Sequence, residues 1–168
     1  LPLFLTSRTL QAWMTLEKVD LTTIGLFSLV GLPYSTKFLW SPIIDRYSLP
    51  FLGRRRGWIA LTQAALALAI AALAFGNPRT ALLAFAITAL TVSFLSATQD
   101  IVIDAYRVDV LEPREMGAGI ALYVVGYRAA LLITGSAALI LADRMSWNSV
   151  NLLMAALMLL GLAATAWA

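Results

Sequence analysis

The chain of 168 residues contains no cysteine and no histidine. Without cysteine it has no disulfide framework, thiol nucleophile or zinc-thiolate site. Without histidine it lacks the commonest metal ligand and the usual proton carrier near neutral pH, which leaves carboxylates for any proton relay. Motifs of the HExxH and GxSxG kinds are also missing. These absences disfavour an intramembrane protease or acyltransferase, and we predict a protein that is not an enzyme and binds neither a cofactor nor a metal.

Charged residues are scarce: they make up 12% of the chain, whereas about a quarter is usual in soluble domains. Hydrophobic residues account for 61%, and the mean hydropathy is +0.84. A soluble core of this size could not bury so much apolar surface, but helices that face lipid need not bury it. The composition therefore predicts an all-α, polytopic membrane protein whose partner is the lipid bilayer. The net charge of +3 comes mostly from arginines in loops, so we predict no nucleic-acid partner.

Long apolar stretches alternate with short polar connections along the chain. A helix needs about 20 apolar residues to cross a hydrocarbon layer ~30 Å thick. The alternation predicts six spans, at residues 1–16, 21–44, 58–75, 80–104, 118–142 and 150–168. Because the chain starts and stops inside apolar stretches, we expect truncated first and last spans. We therefore expect residues 1–168 to form one transmembrane bundle of a longer protein whose C-terminal bundle is absent from this chain.

The connection between the second and third spans carries the densest positive charge in the chain. Its four arginines are Arg46, Arg54, Arg55 and Arg56. Lys and Arg close to the ends of spans keep short loops on the cytoplasmic side. We therefore expect residues 44–57 to be cytoplasmic and, by alternation, residues 105–117 as well. The short loops then place six basic residues on this side and three on the other, which favours the same orientation.

The second half of the fourth span carries polar residues at spacings of three and four. They are Ser93, Ser96, Asp100, Asp104 and Arg107. This spacing places them on one face of a helix, and because a carboxylate facing lipid is costly, the face must meet a cavity, a cation or a proton. We favour a functional role for Asp100. For Asp104 we favour a structural role, in which Asp104, Arg107 and Asp109 pair with Arg46 or Arg54 and, with Asp45, close the cytoplasmic end.

Cations inside the spans are candidates for a substrate cavity. Arg128 lies about ten residues into the fifth span, roughly 15 Å along the helix, near the bilayer midplane. We favour a functional role for it, with Tyr123 and Tyr127 lining the same cavity, and the alternative is a structural Arg128–Asp100 ion pair. For Lys37, reaching to the cytoplasmic interface is favoured over a substrate or ion-pair role, although Lys37 stays a candidate for the cavity.

Five long blocks of the chain carry a resemblance to a known family. They are LTSRTLQAWMT, TIGLFSLVGLPYSTKFLWSPIIDRY, FLGRRRGW, SATQDIVIDAYRVDVL and GAGIALYVVGYR. Together they resemble the amino-terminal half of AmpG-type muropeptide permeases of the major facilitator superfamily. The resemblance implies two six-helix bundles around a central cavity, of which this chain supplies one, and transport by alternating access. It also implies proton-motive-force-driven import of anhydro-muropeptides across the bacterial inner membrane, with an anionic glycopeptide and protons as partners.

Shorter blocks of the chain resemble a second family. KFLWSPIID, GRRRGW and ATQDIVID are similar to the acetyl-coenzyme A transporter family, so the alternative cargo is acetyl-coenzyme A or another anionic substrate. A cavity cation such as Arg128 would attract either cargo, while Asp100 could bind and release the coupling proton. A third possibility, from another class, is a polytopic scaffold or subunit with no activity of its own.

Overall fold

The computed structural model describes residues 2, 5–47, 49, 53–78 and 80–167, without the side chains of Ser7, Arg8 and Arg54. Residues 1 and 168, where the first and sixth predicted spans begin and end, lie outside it. Within the described residues the secondary structure is helical and includes no strand. The helical segments fall into six stretches: α1 (residues 5–16), α2 (21–46), α3 (Arg54–Phe75), α4 (Leu82–Val110), α5 (Met116–Ala142) and α6 (Trp147–Trp167). The predicted all-α class is confirmed.

Four of these helices, α3 to α6, are long and apolar enough to cross a membrane, judged by length and composition over the described residues. α1 consists there of a five-residue π-helical segment, Leu5–Thr9, and the α-helix Leu10–Leu16. α2 is divided into segments of three to six residues. The chain is therefore a polytopic membrane protein, and α1 and α2 occupy the places of the first two predicted spans.

Three helices, α2, α3 and α4, extend beyond the predicted spans into charged sequence. α4 runs to Val110, so Arg107 and Asp109 lie on the helix, and only residues 111–115 connect it to α5. α3 begins at Arg54, inside the arginine-rich connection. Charged side chains at a helix end can reach water, whereas a backbone breaker such as Pro113 ends the helix. The limits of the apolar sequence therefore do not mark the ends of these helices.

α2 is irregular because prolines restart it. Its segments are Leu21–Leu26, the 3₁₀ helix Phe27–Gly31, Leu32–Thr36, the 3₁₀ helix Lys37–Leu39, and Ser41–Arg46. Pro33 and Pro42 each lie in the first turn of an α-helical segment. Proline lacks an N–H and suits that turn, where the donor would have no helical partner. The second 3₁₀ segment carries Lys37, which contacts α4.

Asp20 caps the start of α2. Its carboxylate accepts hydrogen bonds from the hydroxyl and from the backbone N–H of Thr23, each at 2.7 Å. These bonds favour the charged carboxylate and lower the pKa of Asp20 below its ordinary value. The cap supplies a partner for one of the amide donors that the first turn of a helix leaves unpaired.

α3 packs against both α4 and α6, and the largest buried cluster lies between these helices. Its members include Leu66, Ile70, Val92, Val150 and Met154. These side chains come from all three helices and interdigitate without polar atoms. We therefore take α3, α4 and α6 as the packed body of the bundle, against which the irregular helices α1, α2 and α5 lie.

Aromatic rings join the helices at one end of the bundle. Trp13, near the end of α1, stacks on Trp147 at the start of α6, with 5.7 Å between ring centroids. It also meets Phe85 of α4 edge-on at 5.1 Å, and Phe27 of α2 lies against Phe85 at 6.1 Å. The end of α1 and the first turns of α2, α4 and α6 thus meet at the same end of the bundle.

Candidate substrate and proton site

The polar face of α4 contacts side chains of both α2 and α5. Lys37 Nζ on α2 donates to Asp100 Oδ2 at 2.5 Å, and Tyr123 Oη on α5 donates to Asp100 Oδ1 at 3.3 Å. One turn away on the same face, Ser96 shares a hydrogen bond with Tyr34 of α2. The stripe predicted from its spacing of three and four residues is therefore a contact surface between helices, and Asp100 lies at its centre.

A second carboxylate, Asp104, extends this group by one helical turn. Arg107 Nη2 donates to Asp104 Oδ1 at 3.1 Å, and Lys37 Nζ lies 4.0 Å from Asp104 Oδ2. The Arg107 guanidinium also lies over the Tyr123 ring, with Cζ 4.7 Å from the centroid. Asp104 was expected to pair with Arg46 or Arg54 of the arginine-rich connection. Among the described residues, its observed partners are Arg107 and Lys37. We call Lys37, Asp100, Asp104, Arg107 and Tyr123 the Asp100 cluster.

The Asp100 cluster is electrically balanced and partly open to solvent. It holds two carboxylates and two cations, and the side chains of Lys37, Asp100 and Asp104 are 33%, 31% and 43% exposed. That exposure allows a carboxylate to exchange a proton with water, while the remaining burial strengthens attraction between opposite charges. The arrangement can therefore bind a proton on a carboxylate and an anion on a released cation. No group of three or more acidic side chains is placed to hold a metal ion in the part described.

Three polar contacts align α2 with α4. They are Tyr34–Ser96, Lys37–Asp100 and Trp40–Thr98, the last with the indole N–H donating at 3.1 Å. Tyr34, Lys37 and Trp40 recur every three residues, and the 3₁₀ segment Lys37–Leu39 lies between Tyr34 and Trp40. Sequence reasoning missed Tyr34, Trp40 and Thr98. The three-residue spacing of Tyr34 and Trp40 about Lys37 was the available signal.

Arg128 lies outside the Asp100 cluster. It is exposed and makes no hydrogen bond or ion pair with any residue that the structure describes. The cation on Asp100 is Lys37, so the alternative of a structural Arg128–Asp100 ion pair is wrong. Arg128 lies five positions after Tyr123 and therefore points about 140° away from it around an α-helix. Tyr127 lies four positions after Tyr123 and points only about 40° away from it. Because Tyr123 faces Asp100, Arg128 is directed elsewhere, and its role stays a prediction.

A second charged network joins the ends of α2, α3 and α4. Arg55 Nη1 donates to Asp45 Oδ1 at 2.5 Å, and Arg55 Nε donates to Asp109 Oδ2 at 2.9 Å. The Arg55 side chain is largely buried, whereas both carboxylates are half exposed. The expected partner of Asp109 was Arg46 or Arg54. Its observed partner among the described side chains is Arg55, which lies between Asp45 of α2 and Asp109 of α4.

Arg46 and Arg56 lie apart from this network. Arg56 Nη2 donates to the backbone carbonyl of Thr165 at 2.9 Å, near the end of α6. Arg46 is exposed and forms no ion pair within the described ranges. The side chain of Arg54 lies outside the described part of the chain. A role for Arg46, Arg54 and Arg56 in closing this end is therefore still a prediction.

Long apolar helices with an ionisable cluster between them define an α-helical, polytopic membrane protein. Comparison with known proteins identifies its family. The family model described as acetyl-coenzyme A transporter 1 matches residues 9–149, and the chain belongs to that family of membrane transporters.

Individual relatives agree with this assignment. The chain is 56% identical over 160 residues to the anhydromuropeptide permeases of Escherichia coli K12 and O157:H7, a match that covers 95% of this chain and 33% of each permease. It is 44% identical over 162 residues to an uncharacterized protein of Haemophilus influenzae, covering 96% of this chain and 38% of that protein. The resemblance to AmpG-type permeases is confirmed. The chain spans about a third of the length of the curated relatives that it matches.

Proposed function

We propose that this chain is part of a proton-driven permease that imports anhydromuropeptides across the bacterial inner membrane by alternating access. The observation that carries the proposal is the 56% identity to the anhydromuropeptide permease of Escherichia coli over 95% of this chain. The orientation belongs to the proposal: residues 44–57 and 105–117 face the cytoplasm, because basic residues near span ends favour that side. A C-terminal bundle of the same protein would complete the cavity, since the match covers only 33% of the permease.

In the proposed mechanism Asp100 carries the coupling proton. When Asp100 is deprotonated, it holds the Lys37 ammonium at 2.5 Å. Protonation removes the charge attraction and frees Lys37 to bind a carboxylate of the anionic glycopeptide. A proton and a substrate anion therefore enter the Asp100 cluster together, which keeps it electrically balanced in both states. Lys37 takes the anion-binding role that the sequence alone suggested for Arg128, while Arg128 and Tyr127 are proposed as further lining residues on α5.

The Arg55 network is proposed as the closed cytoplasmic end of the cavity. Arg55 bridges Asp45 and Asp109 and so ties three helix ends together. Charge-assisted hydrogen bonds of this kind are strong enough to hold an end closed, yet the half-exposed carboxylates can be solvated when it opens. Cytoplasmic release of the substrate requires at least one of these two pairs to separate.

The second candidate is transport of acetyl-coenzyme A or a related anion. The match of the acetyl-coenzyme A transporter 1 family to residues 9–149 favours it. Coenzyme A carries phosphates and muropeptides carry carboxylates, so a released Lys37 could bind either cargo. The two candidates differ in cargo and share the proposed proton site.

Uptake by the full-length protein that contains this chain tests the proposal. That protein is reconstituted into membrane vesicles, and uptake of labelled anhydromuropeptide is measured with and without a proton uncoupler. A further series adds acetyl-coenzyme A as competitor. The matched variants are Asp100→Asn and Asp143→Asn. Asp143 is an exposed carboxylate in the turn before α6, far along the chain from the Asp100 cluster.

We expect uptake that the uncoupler abolishes, that Asp100→Asn reduces at least tenfold, and that Asp143→Asn leaves unchanged. Uptake that persists with the uncoupler would contradict proton coupling. Proton-coupled uptake by Asp100→Asn equal to the parent would remove Asp100 from the mechanism. Muropeptide uptake that acetyl-coenzyme A strongly suppresses would shift the cargo assignment to the second candidate.

A further inference from the structure

α1 and α5 each contain a π-helical segment, and the two segments touch. They are Leu5–Thr9 in α1 and Ile133–Ala137 in α5. A π-helical turn holds an extra residue, rotates the two sides of a helix relative to each other, and occurs often at functional sites. In the described chain α3, α4 and α6 contain no π segment. This irregularity is therefore confined to the place where α1 meets α5.

A buried hydrogen bond joins the two segments. Thr9 Oγ1 donates to the backbone carbonyl of Thr134 at 2.6 Å, and the two residues are 3% and 0% exposed. Thr134 Oγ1 in turn donates to the carbonyl of Ala130 at 2.7 Å. A π turn disturbs the regular i to i+4 pairing, and a buried carbonyl left without a donor is destabilising. The hydroxyl of Thr9 thus stabilises the irregular turn of α5 from another helix.

The π segment of α5 follows the part of α5 that reaches the Asp100 cluster. Thr134 lies eleven residues after Tyr123, or about 16 Å along a helix. Tyr123 reaches Asp100 Oδ1 over 3.3 Å, and its ring lies beneath the Arg107 guanidinium. One residue more or fewer in the turn Ile133–Ala137 rotates the part of α5 that carries Tyr123 by about 100° relative to the part that follows the turn. Both contacts of Tyr123 therefore depend on the winding of Ile133–Ala137.

We propose that Thr9 is a positioning residue for the Asp100 cluster. Its hydrogen bond holds the two π segments together, and this sets the rotation of α5 that brings Tyr123 onto Asp100. The bond, and not the volume of the side chain, is the feature that matters, because valine would fill the same space without donating to the Thr134 carbonyl. The effect on transport rests on the proposed function, whereas the effect on the winding of α5 does not.

The test compares three variants of the full-length protein. Thr9→Val removes the donor and keeps the shape, and Thr9→Ser keeps the donor. Thr91→Val is the control, because Thr91 is exposed on α4 and its hydroxyl bonds only the carbonyl of Ile87 in its own helix. Two quantities are measured: amide hydrogen exchange in residues 130–137, and KM and Vmax for anhydromuropeptide uptake.

We expect Thr9→Val to accelerate exchange in residues 130–137 at least fivefold and to raise KM about tenfold, with Vmax changed less than twofold. Thr9→Ser should stay within twofold of the parent in both measurements, and Thr91→Val should match the parent. If Thr9→Val does not fold, Thr9→Ala removes the same donor with less steric demand.

Two results overturn the proposal. One is exchange and KM in Thr9→Val that equal those of the parent. The other is a Thr9→Ser variant as impaired as Thr9→Val, which would assign the effect to packing. If the exchange pattern is as expected while even the parent takes up no anhydromuropeptide, the proposed function fails and the positioning contact stands.

Discussion

Asp100 is the residue through which hydrogen bonds join three helices. It belongs to α4, it accepts from Lys37 of α2, and it accepts from Tyr123 of α5. A carboxylate with both oxygens engaged and about a third of its surface exposed can hold its charge and also reach water. Removing one partner of such a pair leaves the other charge partly desolvated and without its counter-charge, which destabilises the folded protein.

A double-mutant cycle on Lys37 and Asp100 follows from this. We expect Lys37→Met alone to lower the stability of the detergent-solubilised protein by about 1–2 kcal/mol, because the partly exposed Asp100 loses its cation. Lys37→Met combined with Asp100→Asn should destabilise less than the sum of the single changes. Thermal unfolding of the four proteins measures this coupling, and strictly additive shifts would contradict an ion pair at this place.

The cap at Asp20 predicts a dependence on pH. Hydrogen bonds from Thr23 lower the pKa of Asp20 in the folded protein. A lowered folded-state pKa gives stability that is present above the unfolded-state pKa and is lost as pH falls through the folded-state value. We therefore expect Asp20→Ala to lower the melting temperature at neutral pH, and the difference from the parent to shrink on acidification. Asp20→Asn is the control, because its side chain can still cap without a charge, and melting curves from neutral to acid pH decide the outcome.

At the scale of helices, the sequence predicted the all-α class, which is confirmed, but it did not predict which side chains pair. The places of the spans and the polar face of α4 follow from apolar length and from the helical repeat, which are local properties. The partner of Asp100 depends on the rotation of α2 about its own axis. The two 3₁₀ segments change this rotation, and the change cannot be predicted from the spacing of apolar residues in the sequence. Lys37 was therefore undervalued as an ion-pair partner, and Arg128 was wrongly considered for the contact with Asp100.

One glycine at a helix end and one within a helix give a contrasting pair of substitutions. A Cβ on Gly76, after α3, would lie 2.8 Å from Phe85 Cδ2 and 3.2 Å from the Leu73 carbonyl, whereas a Cβ on Gly25 meets nothing within 4 Å. Phe85 is fixed by Trp13, so we expect Gly76→Ala to destabilise the protein by about 1–3 kcal/mol. Gly25→Ala should be neutral or stabilising by up to about 1 kcal/mol. Melting temperatures of both variants test this, and equal effects would contradict the close approach of Phe85.

At the scale of the whole molecule, the bundle has two chemically different ends. The ends of α2 and α4 and the start of α3 meet through Arg55, whereas the starts of α2, α4 and α6 meet through aromatic rings. The arginine-rich connection predicted the charged end, whereas no sequence pattern predicted the aromatic contacts at the other end. The ion-pair partners within the charged end required the structure, because neighbouring arginines have the same chemistry and differ only in direction.

The absence of cysteine makes the proposed orientation directly testable. Single cysteines are introduced by Glu112→Cys, between α4 and α5, and by Arg144→Cys, between α5 and α6; both positions are exposed. In intact cells a membrane-impermeant maleimide should label Arg144→Cys, and it should label Glu112→Cys only after permeabilisation. Any cysteines in the rest of the full-length protein are replaced beforehand, and this cysteine-free protein, which should not be labelled, is the control. The reverse labelling pattern would invert the proposed orientation.

Lys37 lies close enough to two acids, one turn apart on α4, to be shared between them. Its Nζ lies 2.5 Å from Asp100 Oδ2 and 4.0 Å from Asp104 Oδ2, so a shift of about 1.5 Å moves the ammonium from one acid to the other. This shift is roughly a twentieth of a ~30 Å hydrocarbon layer. An elementary charge that crosses the whole layer changes energy by ~2.3 kcal/mol per 100 mV, so the transfer changes energy by only ~0.1 kcal/mol per 100 mV. The exchange of one lysine between the two carboxylates is therefore nearly independent of the membrane voltage.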